Sequence, residues 1–339
     1  MSHDQKTLLD VRHLRKYYPL RRGFLRKVVG EIKAVDDVSF TIQPGETLGL
    51  VGESGCGKST VAKTIVRAID PSDGQMLFQC DGRTVDISQL EGEDLKRVRR
   101  HIQMIFQDPN SSLNPRQRVR DIIGEPLYVN GVAKGKQLEE RVAELMQAVG
   151  LKPEHMIRYP HAFSGGQRQR IGIARALALQ PKLIICDEPT SALDVSIQAQ
   201  ILNLLKDLQQ QFGVAYLFIS HDLGVVQHIS HRVAVMYLGR LMEMAPTRRL
   251  FKAPAHPYTE ALLGVSPKPH PKYRGRLRVL QGEVPDPSKP VPGCPFASRC
   301  PYAQRLCIEE TPQLRSLDDK DGDHLVACHF AEELALAGV

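Results

Sequence analysis

The 339-residue chain has no tryptophan, and aromatic residues make only 6% of it. That scarcity argues against a surface that stacks nucleic-acid bases on aromatic side chains, and no nucleic-acid partner is expected. No apolar run approaches the ~18 residues that span a bilayer. The opening stretch, "MSHDQKTLLDVRHLRKYYPLRRG", is charged throughout and has no apolar core, so a secretory leader is not expected. No repeat of solenoid period is visible. What is present suits a folded protein of one large domain with appendages, or of two domains: 42% of residues are hydrophobic and 24% charged. Net charge is +7. A solvated basic surface, an anionic membrane face or a phosphorylated ligand each accounts for it, and charge alone does not choose.

Cysteine is unevenly placed. Cys56, Cys80 and Cys186 are scattered, whereas Cys294, Cys300, Cys307 and Cys328 crowd the last stretch of the chain. Without a leader the compartment is expected to be reducing, which disfavours disulfides and raises the weight of metal binding.

Four short apolar runs, "TLGLVG" (47–52), "IQMIFQ" (102–107), "LIICDE" (183–188) and "VAYLFIS" (214–220), do not alternate polar with apolar. Such runs suit strands buried on both faces of a parallel sheet. Helical stretches lie among them at 58–69, 136–149, 167–179 and 195–211, so the expected class is α/β. "FQCDGRTVDI" (78–87), centred on Asp81-Gly82, reads as a hairpin. The stretch 108–180 is mostly helical and interrupts the strand series, as a subdomain would. Proline becomes dense over 253–301, which opposes helix interiors and central strands. We therefore place a boundary near 245, with one domain over 1–245 and an extension over 246–339.

"GESGCGKST" (52–60) follows an apolar run, precedes a helical stretch and fits G-x-x-x-x-G-K-[ST]. Gly52, Gly55 and Gly57 let the backbone wrap closely, with Glu53, Ser54 and Cys56 between them and N–H groups turned inward. Lys58 reaches toward β- and γ-phosphates, Ser59 is placed to ligate Mg²⁺, and Thr60 to meet a neighbouring phosphate. The start of the following helix adds partial positive charge, and would lower the pKa of the Cys56 thiol; the bland alternative is that Cys56 is a small tolerated residue. In "LIICDEP" (183–189), Asp187 follows four apolar residues and so ends a strand, where α/β sheets bind ligands. Its expected role is to hold Mg²⁺ through water, and that of Glu188 to orient or deprotonate the attacking water.

"FSGGQRQRIGIARAL" (163–177) adds a third element, with Ser164, Gly165 and Gly166 before an arginine-rich helix. Together these motifs make the chain resemble the nucleotide-binding subunits of ABC transporters over about residues 8–245. Gly52–Thr60 matches their Walker A loop, Gln107 in "IFQDP" the Q-loop glutamine, and Ser164–Gln167 their signature. Leu183–Glu188 matches Walker B with its catalytic glutamate, "SALD" (191–194) with Asp194 the D-loop, and His221 in "ISHDL" the switch histidine. Tyr18 in "LRKYYP" looks like the adenine-stacking aromatic, with Tyr17 as its rival. The resemblance implies a P-loop NTPase (RecA-like) core with a mainly parallel sheet, an antiparallel β subdomain, a helical subdomain over about 108–180, and a cysteine-bearing extension. It also implies Mg²⁺-ATP, with Glu188, His221 and Lys58 as catalytic groups and Ser59, Gln107 and Asp187 around the metal. Two such domains pack head to tail, so that Ser164 serves a partner's ATP.

"SSLNPR" (111–116), "HPYTEALL" (256–263) and the cysteine tail further resemble the F-type ATPase subunit of dipeptide and oligopeptide importers. That likeness implies a homologous D-type ATPase partner, two membrane-spanning permease subunits docking after Gln107, an external peptide-binding protein, and a peripheral place on the cytoplasmic face of the inner membrane. The tail pattern, Cys294-x5-Cys300-x6-Cys307-x20-Cys328, is looser than the usual pairs of structural zinc, and four thiolates are the ligands of an iron–sulfur cube. On the residues alone, zinc, a cluster, free thiols and disulfides stay open; the resemblance favours [4Fe-4S]. Arg299 and Arg305 are expected to offset the cluster's charge. The alternatives are a soluble ABC ATPase acting on nucleic acid or ribosomes, a nucleotide-gated scaffold, an exporter ATPase, and an importer ATPase for another solute such as nickel or glutathione.

Overall fold

A computed structural model describes residues 7–22, 27–265, 282–286, 288–289, 292–317 and 323–339. In chain order the elements are β1 (Leu9–Arg22), β2 (Lys27–Ile42), β3 (Thr47–Val51), α1 (Lys58–Ile65), β4 (Asp73–Cys80), β5 (Arg83–Asp86), α2 (Gly92–Arg99) and β6 (Ile102–Ile105). Next come α3 (Pro109–Ser112), α4 (Val119–Val129), α5 (Gly135–Ala148), α6 (Gly165–Leu177), β7 (Leu183–Asp187), α7 (Val195–Phe212), β8 (Ala215–Ile219) and α8 (Leu223–Ile229). Last are β9 (Arg232–Tyr237), β10 (Arg240–Pro246), α9 (Thr247–Lys252), α10 (Pro257–Val265), α11 (Arg305–Glu309), β11 (Arg315–Ser316) and β12 (Leu325–Val326). The chain divides into two units, one of Met1–Leu8, Ile42–Glu46 and Phe78–Ile219, the other of Leu9–Thr41, Thr47–Leu77 and Ser220–Val339.

In the first unit β6, β7 and β8 run parallel, with Ile102 opposite Leu183 and Leu183 opposite Ala215. Every residue of β7 and β8 is buried, which is why both read as continuous apolar runs. The hairpin at Asp81-Gly82 forms as expected, with both residues at positive φ (48° and 76°). In the helical part α4, α5 and α6 pack on one another, and Leu127, Ala133 and Ala178 form a small core flanked by Leu138 and Leu145. α7 ends where Gly213 takes a left-handed turn at φ 65°.

In the second unit β3 lies parallel to β9, and β10 follows antiparallel to β9. β12 pairs antiparallel with β10, and β11 with β12, so the order is β11-β12-β10-β9-β3. β2, β1 and β4 line up in that order as a separate sheet. α1 stops at Ile65, short of the expected residue 69, because Arg67 turns to φ 55°. β10 runs through position 245, and Glu243 and Met244 face Val326 and Leu325 of the tail. The extension thus enters the same sheet as the strands before it. It also has a small core of Ala255, Val326, Cys328 and Ala331 with Phe330 and Leu334 against it. Among the described residues no helix is long and apolar enough to cross a membrane.

Candidate functional site

The phosphate loop lies in the second unit, between β3 and α1. Gly52 and Gly57 are required by crowding, whereas Gly55, with open space around it, is required by its φ of 80°. A Cβ on Gly52 would sit 2.1 Å from the Met236 carbonyl oxygen, and one on Gly57, at φ 110°, 2.1 Å from that of Ala34. The Lys58 side chain is buried, and its ammonium donates to the Gly52 and Glu53 carbonyl oxygens at 2.8 and 3.0 Å. It also lies 3.7 Å from Cys56 Sγ. Ser54 and Gly55 are exposed at the loop tip, while Ser59 and Thr60 are half-buried in the first turn of α1. The expected lowering of the Cys56 pKa is corrected: burial raises it, and outweighs the attraction of Lys58.

Glu53 carries two contacts that the sequence did not suggest. Its backbone N–H donates to the Tyr258 hydroxyl at 2.9 Å. Its carboxylate accepts both arms of Arg299, at 2.6 and 3.0 Å. Arg299 was expected to balance a cluster's charge; its guanidinium instead pairs with Glu53, because the turn before Cys300 carries it there. Arg305 pairs with Glu309 at 2.6 Å. The only hint of these contacts was Tyr258, inside "HPYTEALL"; Arg299 and Glu53 are 246 residues apart.

Elsewhere in this unit Tyr17 donates its hydroxyl to Asp36 at 2.5 Å, whereas Tyr18 is more exposed, with Lys16 Nζ 5.1 Å from its ring centroid. His221 is exposed, one residue before Asp222, which caps α8 by accepting from the Gly224 and Val225 N–H groups.

The first unit holds the acidic pair and the serine–glycine turn. Asp187 ends β7 and is only 5% exposed. Glu188 follows at φ 46°, a strained conformation for a non-glycine residue, pinned by its N–H donating to the Ile219 carbonyl at 3.0 Å. The Gln107 side-chain amide donates to Glu188 Oε2 at 2.9 Å, so the structure brings these two predicted residues together. Ser164 and Gln167 form a reciprocal cap at the start of α6, each side chain accepting from the other's backbone N–H. Gly166 lies against α7, where a Cβ would fall 2.5 Å from Ile197 Cγ2. Gly165 stays exposed on the turn, and Asp194 is exposed at the first position before α7, making no cap bond.

All four tail cysteines line one recess in the second unit, with His256, Phe296 and Tyr302. Burial pushes the Cys294 thiol up to about 11 and Cys300 to about 12, and the neighbouring thiols add to both shifts. Thiols raised in this way hold their anionic form only with a cationic centre beside them. A single zinc ion would draw its sulfurs to within ~4 Å of one another. No three of these thiols come within 4.8 Å of one another. Among the described residues the trio that does meet that spacing is Cys80, Asp81 and His101. There Asp81 already pairs with Arg97 at 3.0 Å, and the positive charges of Lys182, Arg97 and Arg100 oppose a cation.

Two family models match the chain: "ABC transporter" over residues 35–191, and "Oligopeptide/dipeptide transporter, C-terminal region" over residues 242–307. The oligopeptide transport ATP-binding protein AppF of Bacillus subtilis is 52% identical, covering 96% of this chain and 98% of that protein. The di/tripeptide transport ATP-binding protein DppF of Pseudomonas aeruginosa is 49% identical, with 97% and 99% covered. Among solved structures, the ATP-binding cassette MJ0796, a dimer in a post-hydrolysis state bound to ADP and Pi, is similar at TM-score 0.61 and 29% identity. The match covers 71% of this chain and 99% of that one.

Proposed function

Since this chain belongs to the ATP-binding proteins of the oligopeptide/dipeptide ABC transporters, we infer that it is the ATP-hydrolysing subunit that powers peptide import through membrane-embedded permeases. The observation that carries the reading is the paired presence of a glycine-crowded loop closed by buried Lys58 and a Glu188 carboxylate held by Gln107.

Each residue then has a task. Backbone N–H groups of Gly55–Ser59 bind the phosphates, and Lys58 adds a fixed positive charge. The oxygen donors of Ser59, Gln107 and Asp187 are the hard ligands that Mg²⁺ takes, and when bound it neutralises charge on the phosphate oxygens. Glu188, held by Gln107, orients the attacking water and accepts its proton; His221 is the switch histidine of this reading, and Tyr18 stacks on the base. The Ser164–Gly165–Gly166–Gln167 turn and Asp194 act on a nucleotide held by the partner ATPase, a homologous D-type chain. Two permeases dock on the segment after Gln107, next to the exposed Phe106 that precedes it. On this reading the subunit works at the cytoplasmic face of the membrane, on a path fed by an external peptide-binding protein.

For the tail, the donor set and spacing of Cys294, Cys300, Cys307 and Cys328 favour a [4Fe-4S] cluster over Zn²⁺, as a structural crosslink of a proline-rich segment. Purification from native membranes tests the whole reading. Two hydrophobic permeases and a second ATPase are expected to accompany the chain, and peptide should stimulate ATP hydrolysis in reconstituted vesicles. Recovery with ribosomes or nucleic acid instead would overturn it.

A further inference from the structure

The phosphate loop contains an acidic residue of its own, and the tail supplies its counter-charge. Glu53 lies between Gly52 and Ser54, and the Lys58 ammonium is bound to its carbonyl oxygen. Its carboxylate meets Arg299 in a two-armed pair whose side chains are 5% (Arg299) and 24% (Glu53) exposed. A shielded bidentate pair is held more firmly than a surface ion pair. Tyr237 fixes the arginine from the other side, its hydroxyl accepting from Nη1 at 3.2 Å and its ring 5.7 Å from the guanidinium carbon.

The backbone of Arg299 is set by the cysteine segment. Arg299 ends a short turn, Ala297–Arg299, and its N–H donates to the Phe296 carbonyl at 3.0 Å. Phe296, fully buried between Cys294 and Cys300 in sequence, packs against Tyr237 and Tyr258 with ring centroids 5.5 and 5.3 Å away. Tyr258 in turn takes the Glu53 N–H. Glu53 is thus held at both its backbone and its carboxylate by residues from beyond position 245.

We propose that Arg299 is a positioning residue of the nucleotide site: it cancels the Glu53 charge and holds the loop in its anion-accepting shape, so that nucleotide affinity depends on the turn carrying the tail cysteines. This rests on reading Gly52–Thr60 as the loop that binds ATP. Without Arg299, a carboxylate with no counter-charge would stand on a loop that must accept a triphosphate, and like charges repel in a partly shielded site.

Equilibrium binding of a fluorescent ATP analogue to the full chain tests it, with melting temperature and tail metal content measured on every variant. Arg299→Met is expected to weaken binding by about tenfold or more. Glu53→Gln should bind as well as wild type or more tightly, and the double variant should return to within about threefold of wild type. That rescue separates charge from damage, since removing a carboxylate does not refold a disrupted tail. Cys294→Ser with Cys300→Ser, which unties the turn, should weaken binding in the same direction. Wild-type affinity in Arg299→Met, or a double variant as weak as Arg299→Met, overturns the proposal. Unchanged affinity in the cysteine variant, with its metal lost, overturns the dependence on the tail. Lys58→Ala serves as the reference: if it binds as wild type does, the phosphate-loop reading itself is wrong and the proposal falls with it.

Discussion

The side-chain amide of Gln107 donates to Glu188 Oε2 at 2.9 Å, although the two residues are 81 positions apart. That bond holds the carboxylate in one orientation. Glu188→Gln removes the base while keeping the shape. We expect hydrolysis to fall by ~10²–10⁴-fold while ATP binding persists, trapping the closed pair with the partner ATPase. Single-turnover hydrolysis and gel filtration with ATP measure the two effects. Wild-type turnover would remove Glu188 from the role of base.

Lys58 donates to two carbonyl oxygens of its own loop from a buried position. Lys58→Ala deletes the charge and leaves both oxygens facing the phosphate site. ATP affinity should drop by roughly 100-fold or more, since charge-assisted bonds to several phosphate oxygens disappear together. Isothermal titration measures this directly.

The parallel core was legible because strands buried on both faces have to be apolar along their length, and β3, β7 and β8 are. The helices α5 and α7 fell within a residue of their expected bounds for the same reason, through the period of their buried faces. β1 hid itself: "LDVRHLRKYYPLRR" is charged and partly exposed, and among its described side chains only Leu9, Val11 and Leu14 are fully buried. The crowded glycines of the phosphate loop could be read because local backbone demands fix residue types at fixed spacing, whereas Gln107 entered only through the resemblance. Arg299 could not, because its partner is distant in sequence and a salt bridge leaves no periodic trace. Cys56 was misjudged because proximity to Lys58 and a helix start is visible in sequence, whereas burial is not.

That burial gives a kinetic expectation for Cys56. Its thiol is 4% exposed and titrates above the ordinary range, so little thiolate exists near neutral pH. Alkylation by iodoacetamide should be slower than that of a free thiol, and should accelerate as pH rises beyond the range where free thiols have levelled off. ATP should slow it further, because the adduct and the phosphates compete for the same loop. Peptide mapping over a pH series follows the site, and a rate equal to that of free cysteine at pH 7 contradicts the burial argument.

The tail thiols provide a separate expectation. Anaerobically purified protein should be brown, with absorbance near ~400 nm and about four irons per chain, and Cys307→Ser should lose the colour. Stoichiometric zinc in place of iron would reverse the assignment.

His256 gives the protein an acid limit. It is buried, and its Nδ1 accepts the Tyr258 N–H at 3.0 Å, which requires the neutral ring with its proton on Nε2. Burial holds its pKa down to about 4, against the upward pull of Glu243 and of a hydrogen bond to Ala327. The unfolded chain takes up this proton near pH 6.5, whereas the folded one does so only near 4. Stability from this group is therefore complete above about 6.5 and is lost as pH falls through that window, at ~1.4 kcal/mol per unit and ~3 kcal/mol in all. Glu243 accepts the Ala255 and His256 N–H groups, contacts His324 Nε2 at 2.7 Å, and is a second acidic group beside His256. The contribution of His256 is thus read as a difference. Melting temperatures of wild type and His256→Asn are compared from pH 7.5 to 4.5. The variant should be less stable at pH 7.5 and lose stability more gently toward acid, by close to one proton. Because His256 lines the recess with the cysteines, metal retention in wild type should fall over the same interval. Parallel curves for the two proteins would show that His256 is not the group that titrates.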